Sequence, residues 1–144
     1  MDLRLKKDFT MVVGGSSGSG KSIFTFNLVK DAIKTMRVVP SSIIICYGCE
    51  QPFYNNFKCL PYPLTIKKGM PDFVPPKNSL LILDDLQEFN KDISLYFSKY
   101  SHHWEISVLY ITQNIFLKDN RNITIKSNYI VYSNHRVIKH QYEH

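Results

Sequence analysis

Phe9-Thr10-Met11-Val12-Val13-Gly14-Gly15-Ser16-Ser17-Gly18-Ser19-Gly20-Lys21-Ser22 passes from β-prone apolar residues, through glycines and serines, to a Lys-Ser pair. Apolar residues then recur at Ile23, Phe26, Val29, Ile33 and Met36, a helical spacing that predicts a helix over residues 22–36. The stretch reads as strand, glycine loop and helix. Its last eight residues, Gly15, Ser16, Ser17, Gly18, Ser19, Gly20, Lys21 and Ser22, satisfy G-x-x-x-x-G-K-[ST] in full. Glycines at 15, 18 and 20 let the backbone take positive φ and approach a ligand closely, so that successive N–H groups and a helix N-terminus face an anion. The expected ligand is the phosphate chain of a nucleoside triphosphate. Lys21 is expected to neutralise the β and γ phosphates, and Ser22 to offer its hydroxyl to Mg²⁺. A flexible Gly/Ser linker is the competing reading, and the helical pattern directly after Lys21-Ser22 opposes it.

Outward from that loop, residues 43–47, Ile-Ile-Ile-Cys-Tyr, form an apolar run of the length and β-branched content of a strand buried on both faces. Residues 80–84 and 106–111 read the same way, with a helical stretch over about 85–100 between them and a further strand at 129–132. Residues 48–78 carry prolines 52, 61, 63, 71, 75 and 76 and read as mostly irregular. The expectation is an α/β domain spanning residues 1–144, with a mainly parallel five-stranded sheet and helices on both faces.

Two more motifs follow the loop. Leu80-Leu81-Ile82-Leu83-Asp84-Asp85 is a buried-type strand ending in paired acids, with Asp84 expected to hold Mg²⁺ and Asp85 to polarise the water that attacks the γ-phosphate. The plainer role for Asp85 is to N-cap the next helix, with Glu88 as the other candidate base. Val108-Leu109-Tyr110-Ile111-Thr112-Gln113-Asn114 is a strand finishing in amides. In phosphate-loop ATPases of the additional-strand type, a polar residue at such a tip reaches the γ-phosphate or the attacking water. Gln113 suits this because it can donate and accept together; ordinary turn chemistry is the alternative.

Taken in order, Gly-Ser-Ser-Gly-Ser-Gly-Lys-Ser, Leu-Leu-Ile-Leu-Asp-Asp and Ile-Thr-Gln-Asn resemble the FtsK/HerA branch of ATPases, in particular the DNA-packaging ATPases of large DNA viruses and Polinton-like elements. Tyr47-Gly48-Cys49-Glu50-Gln51-Pro52-Phe53-Tyr54 and the run from Asn114-Ile115-Phe116 to Arg121 and Asn128-Tyr129-Ile130-Val131 add to the resemblance, which covers roughly residues 9–136. It implies a RecA-like sheet, ATP as the nucleotide, and Mg²⁺-dependent hydrolysis at the interfaces of a homo-oligomeric ring that moves double-stranded DNA, with a viral capsid or portal protein as partner. It also implies an arginine donated by the neighbouring subunit. Arg121 is the first candidate and Arg136 the second. Family members usually carry more sequence after the last strand than residues 133–144, which fits a minimal ATPase, an excised domain or a decayed copy alike.

Composition agrees with these expectations without selecting among them. Lysine and arginine number 18 against 12 acids, and the net charge of +6 would attract a polyanion by a salt-sensitive term. The charges are spread along the chain, as on any solvated surface. No apolar run approaches the roughly 20 residues of a membrane span, and the first residues do not read as a signal peptide. An intracellular setting is expected, the host cytoplasm or nucleus or the virion if the protein is viral. Three cysteines, Cys46, Cys49 and Cys59, suggest reduced thiols. The Cys46-x-x-Cys49 spacing admits zinc, but a buried strand residue followed by a loop residue is the simpler account. A small nucleotide or metabolite kinase would share the phosphate loop but normally carries an arginine-rich lid, and the four arginines here are not clustered. A non-catalytic ATP-binding scaffold subunit is the other alternative.

Overall fold

Strands without a polar face are stable only when both sides are covered. In the computed structural model, which describes residues 1–132, these runs form the middle of one sheet. Its strands are β1 (Thr10–Gly14), β2 (Ile43–Tyr47), β3 (Leu64–Lys68), β4 (Leu80–Asp84), β5 (Ser107–Thr112) and β6 (Tyr129–Tyr132). They lie in the order β3-β2-β4-β5-β1-β6, and every neighbouring pair is parallel. The α/β class is as expected. The expected count of five strands is corrected to six among the described residues.

The additional strand, β3, comes from the proline-rich stretch that reads as irregular. Pro61 and Pro63 precede it and Gly69 ends it, so none of them breaks its ladder; Pro63 contributes its carbonyl, which accepts from Ile43 N at 2.9 Å. Pairing only with β2, β3 is an edge strand, and its Leu64-Thr65-Ile66-Lys67-Lys68 is half-buried instead of continuously apolar. Edge position and terminal lysines are what a solvent-facing strand requires.

Alternate residues of each central strand serve opposite layers. Met11, Val13, Ile43, Ile45, Leu80, Ile82, Leu109 and Ile111 face a layer containing Val29, Ala32 and Met36, together with Tyr54 and Phe57 of a 3₁₀ helix over Pro52–Cys59. Val12, Ile44, Leu81, Leu83, Val108 and Tyr110 face Leu86, Ile93, Phe97 and Ile123 on the other side. Helical segments therefore cover both faces, as expected.

The first helix is shorter than its pattern suggests. α1 (Lys21–Lys30) stops at Asp31, and α2 (Ala32–Thr35) is a single further turn. Its buried stripe runs through Thr25, Val29, Ala32 and Met36, while Ile23 and Ile33 are 68% and 75% exposed. The helical stretch after β4 is continuous from residue 87 to 103 but changes its hydrogen bonding. It opens as a 3₁₀ turn at Gln87–Phe89 and continues as α3 (Asn90–Leu95), a π turn at Tyr96–Tyr100 and α4 (Ser101–His103). Trp104 stacks on Tyr100 with ring centroids 4.2 Å apart, a packing role. A last 3₁₀ turn, Lys118–Asn120, leads into α5 (Arg121–Lys126). Among the described residues, no helix is long and apolar enough to cross a membrane.

Candidate functional site

An all-parallel sheet gathers the carboxyl ends of its strands along one edge, where ligands of open α/β sheets bind. Register makes this concrete, for Gly14 pairs with Thr112 and Asp84 with Ile111. The last residues of β1, β5 and β4 thus stand side by side, with β5 between the other two. Above them opens a cleft of about 760 Å³, whose lining includes residues 17–22, Asp84, Asp85, Thr112 and Gln113. That volume falls in the range of small-molecule sites.

The glycine loop is shaped as its composition requires. Gly15, Gly18 and Gly20 have φ of 148°, 78° and 95°, values that L side chains rarely adopt. Gly20 stands at the N-cap of α1, and no side chain caps that end. The first N–H groups of this ten-residue helix therefore have no side-chain cap, at the positive end of the helix dipole. Lys21 Nζ folds over the loop, donating to Gly15 O and, at 2.9 Å, to Ser16 O. Burial pulls the Lys21 ammonium below its usual range, and the nearby Asp84 charge opposes that pull.

Asp84, half-buried at the end of β4, is the acid of the site whose carboxyl a neighbouring side chain holds. Burial pushes its carboxyl up, the hydrogen bond from Tyr54 lowers it, the Asp85 charge raises it and Lys21 lowers it. Tyr54 Oη donates to Asp84 Oδ2 at 2.5 Å, and burial beside this carboxylate drives the phenol well above its ordinary range. Asp84 makes no salt bridge among the described residues. A half-buried carboxylate held by a phenol, lining the same cleft as Ser22 and its hydroxyl, is an all-oxygen donor set that fits a hard divalent cation such as Mg²⁺.

Asp85 does not cap a helix. It has φ 58°, and Leu86 takes the N-cap position of the turn that follows. A non-glycine residue in this region is uncommon, and aspartate tolerates it better than most. The strained backbone carries the side chain over the cleft, where Oδ1 accepts from Gln87 Nε2 at 3.0 Å. Gln113 is exposed at the tip of β5 on the cleft rim. Glu88, the other candidate base, is exposed and does not line the cleft.

Arg121 is not brought to the cleft of its own chain. It opens α5 and lines a separate hollow of about 370 Å³ with Ile115, Phe116, Leu117, Lys118 and Thr124. Arg136, the second candidate, lies outside the described residues. Cys46 is buried inside β2, and burial pushes its thiol up to about 12, whereas Cys49 is exposed at the cleft. No group of three His, Cys, Asp or Glu residues suited to a metal occurs among the described residues.

Sequence reasoning missed three residues that shape this site. Tyr54 is one. Gly48 is the second: its N–H donates to Asp84 O at 2.9 Å, and a Cβ there would stand 1.9 Å from Asp85 O. Asn120 is the third, fully buried, accepting from Tyr110 Oη at 3.0 Å and donating to Asn114 O at 3.0 Å and to Thr112 Oγ1 at 3.3 Å. The quoted string from Tyr47 to Tyr54 holds the first two, but nothing in its composition says that it folds back over β4.

No protein-family model matches the chain, and no curated protein matches it.

Proposed function

We propose that this protein is a Mg²⁺-dependent ATPase with a RecA-like, additional-strand phosphate-loop site. The observation that carries the reading is the convergence of residues 17–22, Asp84, Asp85 and Gln113 on one cleft, with β5 between β1 and β4. Three motifs separated by tens of residues meet where hydrolysis of a phosphoric anhydride needs them.

Residues 15–20 and the open end of α1 bind phosphate oxygens by backbone N–H groups, and Lys21 exchanges its loop carbonyls for the β and γ phosphates. Ser22 and Asp84 would hold Mg²⁺, which supplies neutralisation of the charge on those phosphates. Asp85 takes the proton of the attacking water at the carboxylate oxygen that Gln87 leaves free, and Gln113 orients that water. Hydrolysis breaks the bond between the γ-phosphorus and the bridging oxygen, releasing ADP and phosphate.

The resemblance to the packaging ATPases and the net charge of +6 extend the reading to a homo-oligomeric motor on double-stranded DNA that serves genome packaging through a capsid or portal protein. Steady-state hydrolysis of ATP by the purified chain, with and without duplex DNA, tests both levels. Turnover that rises with DNA and falls at least about 10²-fold in Lys21→Ala is the expected result, because the lysine stabilises charge on the transferring group. Phosphate transfer to a small acceptor would replace the reading with a kinase, and tight ATP binding without turnover would leave a scaffold.

A further inference from the structure

We propose that Tyr54 is a positioning residue for the cation site: its hydroxyl fixes one oxygen of Asp84 so that the other is presented to a divalent cation. The inference rests on the ATPase reading above and adds a residue that the phosphate-loop motifs do not contain.

Three observations carry it. Tyr54 is 1% exposed, so its hydroxyl is committed to protein partners. That hydroxyl has one proton, and the 2.5 Å contact to Asp84 Oδ2 takes it in preference to Cys49 O at 3.4 Å. No other hydrogen bond reaches the Asp84 carboxylate among the described residues, which leaves Oδ1 as the oxygen for the cleft.

The ring is itself fixed. Its centroid lies 5.4 Å from that of Tyr47, at the end of β2, and 4.6 Å from that of Phe53 beside it in the 3₁₀ helix. Tyr54 thus transmits the position of the Pro52–Cys59 helix to the tip of β4. A carboxylate turning about its last torsion would present either oxygen, or both, to a cation. One pinned oxygen removes that freedom. Partners of this kind, which touch the ligand and not the metal, commonly govern metal affinity.

The test separates this inference from the reading beneath it. Mn²⁺, as a paramagnetic stand-in for Mg²⁺, is titrated into the wild-type chain and Tyr54→Phe in the presence of a non-hydrolysable ATP analogue, and free Mn²⁺ is read by electron paramagnetic resonance. Binding of the same analogue in excess chelator is measured alongside. Tyr54→Phe keeps the ring and loses the hydroxyl. Its Mn²⁺ affinity is expected to fall about 10-fold or more, with chelator-state nucleotide affinity within about twofold of wild type, since residues 15–22 are untouched.

In an Asp84→Asn background the same substitution is expected to have no further effect on Mn²⁺ affinity, because Tyr54 acts through that carboxylate. Wild-type Mn²⁺ affinity in Tyr54→Phe, or an undiminished loss in the Asp84→Asn background, overturns the proposal. Failure of the wild-type chain to bind the analogue overturns the ATPase reading instead. If Tyr54→Phe does not fold, 3-fluorotyrosine placed at position 54 gives the readout. Its fluorine resonance is expected to shift when Mg²⁺ joins the nucleotide complex, and an unmoved resonance overturns the proposal.

Discussion

Single residues decide whether the acidic strand can present its carboxylates. Gly48 carries no positive φ requirement, yet the place its Cβ would occupy lies 1.9 Å from the backbone oxygen of Asp85. A backbone atom cannot turn aside as a side chain does, so Gly48→Ala must displace the Asp84-Asp85 tip or the end of β2. Overpacking of this kind costs about 1–3 kcal/mol, and a misplacement near 1 Å at a reacting group can cost about 10² in rate. Gly48→Ala is therefore expected to melt a few degrees below wild type by circular dichroism while losing nearly all ATP turnover. Wild-type turnover with a lowered melting temperature would show that the close approach serves stability alone. The sequence distinguishes Gly15, Gly18 and Gly20 because their motif has a known backbone demand. Gly48 is invisible by the same criterion, since its demand comes from a strand more than thirty residues away. Tyr54 is hidden for the same reason: it falls in the proline-rich stretch that reads as irregular, and only the fold brings its hydroxyl to Asp84.

At the level of elements, periodicity identified the strands whose faces are both buried and misjudged those whose surroundings differ. β2, β4 and β5 are continuous apolar runs and fall where their composition places them. β3 alternates weakly among prolines, and its existence depends on the edge that β2 offers. The helix after the glycine loop shows the converse case. Ile23 and Ile33 fit a helical period but face outward, because the break at Asp31 and the packing against the sheet's covered face select Thr25, Val29, Ala32 and Met36 instead. The connection from β5 to α5 has its own organising residue. Asn120 ties Tyr110 within β5 to Thr112 and Asn114 on either side of Gln113. Asn120→Ala would leave the Tyr110 hydroxyl buried without that partner, at a cost of about 1–3 kcal/mol. The expected result is a lower denaturation midpoint together with faster amide exchange at residues 112–116, read by mass spectrometry. Unchanged amide exchange at residues 112–116 in Asn120→Ala would show that Asn120 does not hold Gln113 in place.

For the whole molecule, the question is what completes the cleft. On the proposed reading it contains a binding loop, two oxygen donors for a cation, a base and an orienting amide, but among the described residues that line it Lys21 is the one cationic side chain. Transition-state charge on a transferring phosphoryl group commonly calls for an arginine worth about 10³ to 10⁵ in rate. Arg121 is exposed, away from that cleft and next to Phe116 and Leu117, which are 76% and 46% exposed. An exposed arginine bordered by apolar side chains is suited to entering a neighbour's site, where the apolar residues would be covered at the same time. On the proposed reading, Arg121→Ala and Asp85→Asn each abolish turnover, but they damage opposite sides of one interface. In a ring with head-to-tail interfaces assembled from equal amounts of the two variants, a site is intact when an Arg121→Ala subunit supplies the cleft and its Asp85→Asn neighbour supplies the arginine. Random mixing makes this true of about a quarter of the sites. Co-assembled rings, verified by mass, are therefore expected to regain about a quarter of wild-type ATP turnover, whereas each variant alone stays inactive. If the mixed rings form and remain inactive, Arg121 is not the residue that crosses the interface, and a surface role accounts for it.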